Sequence, residues 1–582
     1  MGAVRPGDAA VPMRPPARWI AVAPPPVDAV ALLQRELMLP ADVCRLLAAR
    51  GYRTPDAAKR FLRPRLEHVE GADVLHDADR AVARIADAVR RQETIFVHGD
   101  YDVDGMSSTA LLTRVLRHLG AQHVVPFVPN RLMDGYDLGA AGVAAARAAR
   151  ASLVVTCDCG TSAHQAVREL MDDGIDVIVT DHHLPGNGLP PAFAVCNPRH
   201  PACPSSDKDL AAVGVAYKLA LALCEALGAP PGIAHHQLDL VALATIADVA
   251  PLRGENRVLV RYGLKLLAET THPGLRALIR SSGLEGKPLT AGRVGFTLAP
   301  RLNAAGRIAD AKLGLRLLLA EREDEANVIA RELEELNRAR QELDRAVLDE
   351  AMRQVERPDM RDRYAHVLHQ QGWHAGVIGI VASRIVEHTA RPAVLVAVEQ
   401  GIGKGSGRSI SAFDLHGALG ACRELFQRYG GHRAAAGLTM DAANLPAFVE
   451  QFDAVARTHL TADDLVPELR VDLDVPIDEV GEELEKLVRH FEPFGIGNPA
   501  PTFRSTGARL AYPPRKIGSD GLKFGIDAAR GELEAIGWGL APRANAFDVS
   551  RTFDLAFRLE RDEYRGVSRL QLRVADVRQP TE

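Results

Sequence analysis

Residues 94–108 read T-I-F-V-H-G-D-Y-D-V-D-G-M-S-S, and they place one histidine and three aspartates directly after a short apolar run. The run 95–97 is typical of a buried strand and residues 107–119 predict a helix, so the acids fall in a strand-to-helix loop. Such loops bind ligands in α/β sheets. Carboxylates this close together repel unless a cation neutralises them, and His98 adds a nitrogen ligand. The stretch therefore favours a divalent-metal site, with a solvated acidic turn or a calcium loop as the alternatives.

The composition is that of an ordinary globular protein. With 582 residues, 47% of them hydrophobic and 25% charged, the chain is long enough for three or four domains with their own cores. The net charge of −5 excludes a protein-wide basic field, so any DNA-binding surface must be a local patch. Seven cysteines without a C-x-x-C pair argue against a disulfide framework or a zinc ribbon.

Residues 1–29 are rich in Pro, Ala and Arg, and we expect a flexible N-terminus that is neither a signal peptide nor a membrane span. Together with the cysteine usage, this predicts a cytoplasmic protein without a membrane partner.

The pattern from residue 94 to residue 250 alternates short β-rich runs with helical ones, after a helical stretch at 30–92 that we expect to support the sheet. The runs 124–128, 153–156 and 177–180 are predicted strands, which makes this region a doubly wound parallel sheet. Asp158 follows the second of these strands, and Asp181, His182 and His183 follow the third. Asp248 closes the helical run 238–250. Acids and histidines at several strand ends predict convergence on one site.

The second half of the chain predicts three further elements. Residues 321–357 contain no Gly or Pro and form one helix of about 55 Å, either a connector between domains or a coiled-coil arm. Strands at 365–369 and 393–398 around a helix at 377–387 predict a second α/β unit. Residues 401–409, G-I-G-K-G-S-G-R-S, are interpreted as a glycine-rich turn; it lacks the Walker spacing, so we expect no nucleotide cofactor.

From residue 465 onward, six short strand-like runs predict a small barrel, at 469–475, 507–512, 522–526, 533–537, 553–559 and 570–574. The pattern alone leaves a structural barrel and an oligonucleotide-binding (OB) fold equally open.

Several motifs resemble the DHH phosphoesterase superfamily: H-x-x-x-D-x-D at 98–104, Asp158, D-H-H at 181–183, and A-T-I-A-D-V-A-P-L at 244–252. Within it, R-L-N-A-A-G-R at 301–307, S-G-R-S at 406–409 and G-G-H-R-A-A-A-G at 430–437 are similar to the RecJ family of single-strand-specific exonucleases. The resemblance extends from about residue 30 to the end of the chain.

The resemblance implies a site for two divalent cations, with Mn²⁺ preferred and Mg²⁺ as a substitute. One ion is expected on His98, Asp102 and Asp158, and the other on Asp104, Asp158, His182 and Asp248. Four carboxylates would then balance the two ions. Catalytic support is expected from Asp100 and Asp181, which would orient ligands and water, and from His183, which would face the substrate.

The resemblance also implies contacts to the substrate, with the second α/β domain holding its 5′ end. In the segment R-x-x-x-x-G-Y, Arg131 would bind a phosphate and Tyr136 a base face. Asp137 departs from the family, which usually has Gly there, so the resemblance does not predict this loop's backbone conformation. The expected substrate-binding residues are Arg131, Tyr136, Arg301, Asn303, Arg307, Ser406, Arg408 and His432.

The fold expected overall is α/β: a flexible N-terminus (1–29), a DHH doubly wound parallel-sheet domain with an N-terminal helical region (30–320), a connecting helix (321–357), a DHHA1-type α/β domain (358–462) and an OB-like β-barrel (463–582). The segment P-F-G-I-G-N-P at 493–499 resembles that of the family's barrel and favours single-strand binding by it.

The function implied is a two-metal 5′ to 3′ exonuclease that degrades single-stranded DNA to 5′-mononucleotides in DNA repair and recombination. We expect a monomer that binds single-stranded DNA with a 5′ end, and a single-strand-binding protein and a helicase as candidate partners. The alternatives are a DHH phosphodiesterase for small nucleotides and a non-catalytic DHH scaffold that binds DNA.

Overall fold

The computed structural model describes residues 17–579 apart from 132, 187, 530, 565 and 566. Its contacts divide the chain into two compact units. The first unit comprises Pro55–Arg340 and His490–Ala500, and the second comprises the described residues up to Thr54, Gln341–Arg489 and those from Pro501 onward. No helix in the described part of the chain is long and apolar enough to cross a membrane.

The N-terminal segment belongs to the second unit. It contains strand β1 (Arg18–Ala21) and helices α1 (Val27–Leu37) and α2 (Ala41–Ala49). Strand β1 pairs in parallel with Glu468–Val471, and the Trp19 indole donates a hydrogen bond to Asp576 at 2.8 Å. The expectation of a flexible segment is therefore wrong for residues 18–21, while residues 1–16 lie outside the described residues. Helices α1 and α2 also belong to the second unit instead of supporting the predicted parallel sheet.

The first unit is built on a five-stranded, entirely parallel sheet in the order β3-β2-β4-β5-β6. This confirms the predicted doubly wound sheet. The buried strands β2 and β4 are apolar along almost their whole length, as a sheet covered on both faces requires. The elements are α3 (Pro55–Leu62), α4 (Ala78–Arg91), β2 (Ile95–Gly99), α5 (Val103–His118), β3 (Val124–Phe127), α6 (Ala140–Ala148), β4 (Leu153–Cys157), α7 (His164–Asp172), β5 (Asp176–Thr180) and β6 (Ala194–Cys196).

A helical layer follows the sheet, and it ends in the predicted long helix. Its members are α8 (Ala212–Ala226), α9 (Gly232–His235), α10 (Leu238–Ala247), α11 (Gly254–Ala268), α12 (Pro273–Ser281), α13 (Ala291–Arg293), a π-helical turn (Val294–Leu298), α14 (Ala299–Ile308), α15 (Lys312–Leu319) and α16 (Glu323–Val355). Helix α16 has 33 residues, which corresponds to about 50 Å. Its residues up to Arg340 belong to the first unit and the rest to the second.

The predicted second α/β region has a five-stranded sheet in the order β10-β11-β9-β8-β7, in which only β7 and β8 are parallel. Its elements are β7 (His366–Gln371), α17 (Ile378–Thr389), β8 (Ala393–Glu399), β9 (Ile402–Arg408), α18 (Leu415–Gly420), β10 (Phe426–Gly431), β11 (Ala435–Asp441) and α19 (Leu445–His459).

The glycine-rich stretch 401–409 is the middle strand β9 of this sheet, so its interpretation as a turn is wrong. Its glycines alternate along the strand and face apolar neighbours. A Cβ at Gly405 would lie 2.7 Å from Leu438, and one at Gly407 would lie 3.0 Å from Leu415. The glycines are therefore needed for close packing.

The C-terminal barrel is confirmed. Strands β14, β15, β16, β18 and β17 follow one another, and pairing of β14 with β17 closes the barrel. The elements are β12 (Glu468–Val471), β13 (Leu473–Asp474), α20 (Glu482–Arg489), β14 (Phe503–Ile517), β15 (Gly521–Ala528), β16 (Gly531–Gly537), β17 (Thr552–Tyr564) and β18 (Val567–Arg578).

The segment 490–500 belongs to the first unit, although the barrel surrounds it in sequence. The rings of Phe491 and Phe61 meet edge to face with centroids 5.3 Å apart. Arg257 lies over the Phe61 ring and donates a hydrogen bond to the Phe491 carbonyl oxygen at 2.7 Å. The Leu252 amide donates to the Ile496 carbonyl oxygen. The motif at 493–499 therefore does not support DNA binding by the barrel.

Candidate active site

The predicted site residues meet at the carboxyl ends of three adjacent strands, β2, β4 and β5. The acids at 100–104 follow β2, Asp158 follows β4, and the D-H-H motif follows β5. The chain adds β3 on one side of β2 and β4 on the other, and such a reversal opens a crevice where α/β sheets bind ligands. Asp248 comes from another layer, because it is the residue that ends helix α10.

The acids after β2 are held by the start of helix α5. The helix begins at Val103, not at the predicted 107, because Asp102 caps it: its Oδ1 accepts hydrogen bonds from the Asp104 and Gly105 amides at 2.9 and 3.1 Å. A Cβ at Gly105 would lie 2.4 Å from the Asp100 backbone nitrogen. Only glycine allows the strand end and the helix to approach so closely.

Asp104 and Asp158 are fixed by their surroundings as well. The carboxylate of Asp104 accepts hydrogen bonds from the Ala212 and Val213 amides, both at 2.9 Å, where helix α8 begins. Asp158 has a φ of 65°, and its amide donates to the Thr180 carbonyl oxygen at 3.0 Å. A left-handed backbone is unfavourable for most residues other than glycine, and such strain concentrates at functional sites.

The structure brings three groups of potential ligands together, each with its ligand atoms within 4.8 Å of one another. The group of Asp104, His182 and Asp248 agrees with the expected set for one ion. His182 Nε2 lies 3.1 Å from Asp158 Oδ1 and 3.9 Å from Asp248 Oδ2. The other groups are Asp100, Asp102 and Asp158, and Asp158, His182 and His183.

Asp100, which was expected to orient ligands, lies in one of these groups beside Asp102 and Asp158. Asp100 is buried, and its Oδ1 has no hydrogen-bond partner among the described residues, so this oxygen could bind a cation. His98 is fully buried, with Nδ1 3.5 Å from Cys159 Sγ, and burial lowers its pKa to about 4. This neutral imidazole also has an unpartnered Nε2 within the described structure, so it keeps a free ligand atom.

The donor set fits divalent cations. Within the described residues, Asp158 Oδ1 and His182 Nε2 are both buried without a hydrogen-bond partner although they face each other. Burial lowers the pKa of His182 to about 3, so its imidazole is neutral and one ring nitrogen carries a lone pair. A lone pair on Nε2 points at the Asp158 carboxylate oxygen 3.1 Å away. A cation between the two atoms satisfies both.

The charges of the cluster lead to the same conclusion. Burial and then the charge of Asp102 raise the pKa of Asp104 to about 7. Burial and neighbouring carboxylates also raise the pKa of Asp158 and of Asp248. Like charges in a buried site repel, and divalent cations relieve this repulsion.

His183 is held differently from His182. Its Nδ1 lies 2.8 Å from Asp181 Oδ1, which also accepts hydrogen bonds from the His182 and His183 amides. Burial lowers the pKa of His183, but the hydrogen bond and charge of Asp181 outweigh it and raise the pKa to about 9. Asp181 thus fixes the orientation of the His183 ring.

Two of the predicted arginines converge on Tyr101. The Arg131 guanidinium lies 4.9 Å from the centre of the Tyr101 ring. Arg307 follows Gly306, where a Cβ would lie 2.9 Å from the Tyr101 carbonyl oxygen, so its backbone lies beside Tyr101. Burial raises the pKa of Tyr101 to about 12, while the charges of Arg131 and Arg307 act against this rise. The Tyr136 hydroxyl lies 3.1 Å from His183 Nδ1, and the Tyr136 ring meets Tyr101 edge to face.

Arg301 has a structural contact instead of an open guanidinium. It forms an ion pair with Glu334 of α16 at 2.5 Å and donates to the Thr297 carbonyl oxygen at 2.6 Å. It therefore ties α14 to the part of α16 in the first unit. Asn303, on the same helix, is half-buried.

The remaining predicted residues belong to the second unit. Ser406 and Arg408 lie on the same side of β9, and the Arg408 guanidinium donates to Ser406 Oγ at 3.3 Å. Both face the first turn of α17, because a Cβ at Gly379 would lie 2.8 Å from Ser406 Oγ and 3.2 Å from Arg408 Nη2. His432 lies in the turn between β10 and β11, and its amide donates to the carbonyl oxygen of Ala435, the residue paired with Arg408.

Sequence reasoning did not assign three residues that shape the site. Tyr101 contacts both Arg131 and Tyr136. Its position in the sequence between Asp100 and Asp102 was the only indication that it belongs to the site. Asn197 donates from Nδ2 to the Thr161 hydroxyl and to the His183 carbonyl oxygen. Asp137 accepts a hydrogen bond from the Gly160 amide at 2.6 Å. The hydrogen bonds of Asn197 and Asp137 join segments that are apart in sequence, so no local sequence pattern predicts them.

Comparison with known protein families matches three segments of the chain. Residues 94–245 match the DHH family N-terminal domain, residues 362–458 the DHHA1 domain, and residues 471–576 the RecJ OB domain. These matches agree with the predicted order of domains.

Similar proteins extend over nearly the whole chain. The single-stranded-DNA-specific exonuclease RecJ of Salmonella typhimurium is 37% identical, over 93% of this chain and 96% of its own length. The RecJ of Bacillus subtilis is 35% identical, over 96% of this chain and 70% of its own length. The crystal structure of RecJ from Thermus thermophilus in complex with Mn²⁺ covers 97% of this chain with a TM-score of 0.83, at 35% identity; this chain covers 80% of that one. With its site geometry, its three domains and this degree of identity, the chain belongs to the RecJ family of single-stranded-DNA-specific exonucleases.

Proposed function

We propose that this protein is a metal-dependent exonuclease that degrades single-stranded DNA from its 5′ end and releases 5′-mononucleotides, in DNA repair and recombination. The observation that carries the proposal is the convergence of Asp100, Asp102, Asp104, Asp158, His182 and Asp248 at the carboxyl ends of a parallel sheet. Membership of the RecJ family supports the choice of substrate.

Two divalent cations would be held by these residues and by His98, with Mn²⁺ preferred over Mg²⁺. The mixture of carboxylate and imidazole ligands supports this choice. When bound, the ions polarise the phosphodiester and lower the pKa of a water nucleophile. One ligand group joins Asp158 to Asp100 and Asp102 and another joins it to His182, which supports its role as the ligand shared by both ions.

His183 is proposed to stabilise negative charge on the reacting phosphate or on the leaving oxygen. Its imidazolium is held by Asp181, and its side chain is 38% exposed, so it is accessible to a substrate while Asp181 is not. A charge that is already oriented costs no reorganisation during the reaction.

Arg131 and Arg307 are proposed to bind backbone phosphates beside the metal ligands. Their convergence on Tyr101, which lies between Asp100 and Asp102, supports this role. Arginine suits the task because its planar fork engages two phosphate oxygens. Tyr136 remains a candidate for contact with the first base, since its side chain is 47% exposed.

Ser406 and Arg408 are proposed to bind the 5′-terminal phosphate, with His432 nearby. Both face the N-terminal turn of α17, where backbone amides point outward and favour an anion. A hydroxyl, a guanidinium and a helix N-terminus together form a suitable phosphate site.

The barrel is proposed to hold single-stranded DNA. Its Trp538 is 42% exposed and has the Arg573 guanidinium 5.6 Å from its ring centre, an arrangement on which a base can stack. Action as a monomer, recruitment by a single-strand-binding protein and a helicase, and a cytoplasmic location belong to the same proposal.

The test is digestion of single strands labelled at either the 5′ or the 3′ end, with Mn²⁺, with Mg²⁺ and with chelator. We expect early release of the 5′ label as a mononucleotide, and no reaction with chelator. Cleavage of dinucleotides but not of long strands would identify a small-nucleotide phosphodiesterase instead. Binding of DNA without any hydrolysis in Mn²⁺ would identify a non-catalytic scaffold.

A further inference from the structure

Asp137 has a backbone conformation that is unusual for a residue with a side chain, and its carboxylate explains how the loop tolerates it. Its φ is 80°, a conformation that glycine adopts freely and that most side chains disfavour. Aspartate is among the few other residues that enter this region, because its short side chain hydrogen-bonds locally. Here the carboxylate accepts a hydrogen bond from the next amide, Leu138, at 2.9 Å.

The same carboxylate oxygen has a second and more distant partner. Oδ1 accepts a hydrogen bond from the Gly160 amide at 2.6 Å. Gly160 lies two residues after Asp158, in the loop after β4, and it also has a left-handed φ of 105°. A glycine at position 137 would keep the backbone conformation but would leave the Gly160 amide without this acceptor.

The loop after β4 is held from two sides. The next amide, Thr161, donates to Asp181 Oδ2 at 3.0 Å. Consecutive amides are thus bound by carboxylates of two different segments, Asp137 from the loop 130–139 and Asp181 from the D-H-H motif. This network joins the loop expected to contact DNA to the loop that carries a metal ligand.

The hydrogen bond between Asp137 and Gly160 also affects Tyr136, the residue before Asp137. The Tyr136 hydroxyl lies 3.1 Å from His183 Nδ1. Because Tyr136 and Asp137 are adjacent, the hydrogen bond to Gly160 restricts how far Tyr136 can move from His183. Arg131 belongs to the same loop and contacts Tyr101.

We propose that Asp137 is a positioning residue, whose carboxylate ties the loop 130–139 to the loop after β4 and thereby holds Tyr136 and Arg131 in position for DNA. The inference rests on the proposed nuclease function. A glycine at position 137 would lack the hydrogen bond to the Gly160 amide. The loop 130–139 would then have to become ordered each time DNA binds.

The test compares Asp137→Gly and Asp137→Asn with the natural protein. Asn retains an acceptor oxygen and tolerates a positive φ, whereas Gly tolerates the φ but has no acceptor. For single-stranded DNA, we expect Asp137→Gly to raise KM at least tenfold with a smaller change in kcat, and Asp137→Asn to stay within about threefold of the natural protein. Binding of Mn²⁺ without DNA, measured by calorimetry, should change less than twofold in both variants.

Asp134→Asn is the matched control, because the Asp134 carboxylate accepts a hydrogen bond from the Asn130 amide within the same loop and, among the described residues, forms none with the loop after β4. Amide hydrogen exchange supplies a readout that does not depend on activity: exchange at Gly160 should become at least tenfold faster in Asp137→Gly only.

An unchanged KM together with unchanged Gly160 exchange in Asp137→Gly would overturn the inference. An Asn variant as impaired as the Gly variant would also overturn it, because the charge and not the link would then matter. If the natural protein digests no DNA, the proposed function fails, while the exchange measurement still decides whether the link exists.

Discussion

Asp158 is the residue on which the proposed site depends most, because one ligand group joins it to Asp100 and Asp102 and another joins it to His182. We expect Asp158→Ala to lower the rate of DNA hydrolysis by more than about 100-fold, the upper range for residues that only orient ligands. Binding of single-stranded DNA should be largely retained, since the proposed phosphate contacts come from other residues. The measurements are single-turnover digestion in Mn²⁺ and a fluorescence binding assay.

Asp172→Ala provides the matched control, because Asp172 is an exposed acid at the end of α7, away from the strand ends. It should behave like the natural protein. Natural rates in the Asp158→Ala variant would rule out this metal centre.

Arg408 is the residue through which we expect the 5′ end to be recognised. Arg408→Ala should raise KM for 5′-phosphorylated strands by about 10- to 150-fold, which corresponds to the roughly 1.5–3 kcal/mol of a hydrogen bond to a charged group. Strands with a 5′-hydroxyl should be affected much less. Arg408→Lys should restore only part of the loss, because an ammonium lacks the planar fork.

Steady-state digestion of matched strands with and without the 5′ phosphate measures this difference. Arg428→Ala is the control, since Arg428 is an exposed arginine on the edge strand β10 of the same sheet. An equal loss on both strands would mean that Arg408 binds an internal phosphate or supports the fold.

The junction of β2 and α5 is the element that gives the site its rigidity. Gly105 lies in the first turn of α5, and a Cβ there would lie 2.4 and 2.5 Å from the Asp100 backbone N and O. Gly105→Ala must therefore displace the backbone of Asp100, at a cost of about 1–3 kcal/mol for overpacking. We expect weaker Mn²⁺ binding and a DNA-hydrolysis rate at least tenfold lower.

Calorimetric Mn²⁺ titration and thermal unfolding check this prediction. Gly292→Ala is the matched control, because Gly292 is also an early helical glycine but a Cβ there would meet only the Thr290 hydroxyl at 3.8 Å. Alanine favours helix more than glycine, so this control should be neutral or slightly stabilising. If both variants bind Mn²⁺ equally well, the close approach does not position the ligands.

At the scale of the whole molecule, residues 490–500 belong to the first unit, although the residues on both sides of them in sequence belong to the second. Phe491 is fully buried and packs on Phe61 and Arg257 of the first unit. We expect Phe491→Ala to destabilise that unit by about 3–5 kcal/mol, because it leaves a cavity in an aromatic cluster. Hydrogen exchange followed by mass spectrometry should show faster exchange around residue 61 and in α11.

Phe557→Ala, at an equally buried position in strand β17, should instead accelerate exchange in the barrel. If Phe491→Ala affected the barrel and spared α11, the assignment of the segment 490–500 to the first unit would be wrong.

Local sequence patterns were sufficient to predict most elements and the chemistry of the site. Apolar runs predicted the parallel strands, the absence of Gly and Pro predicted α16, and the spacing of strand runs predicted the barrel. The acids after predicted strands were also sufficient to locate the site, because the carboxyl ends of neighbouring parallel strands meet at one edge of the sheet. These features depend on periodicity and on residues close in sequence.

Which side chains meet depends on packing between segments that are far apart in sequence. Asp100 joins Asp102 and Asp158 in one group of potential ligands, because the cap at Asp102 and the packing of Gly105 set the direction of the loop. The stretch 401–409 is a strand and not a turn, because its glycines make room for Leu438 and Leu415 from neighbouring elements. Arg301 pairs with Glu334, and the segment 490–500 packs on a unit more than 200 residues earlier in sequence. Each of these outcomes depends on partners remote in sequence, and a local pattern contains no information about which remote partner a side chain will contact.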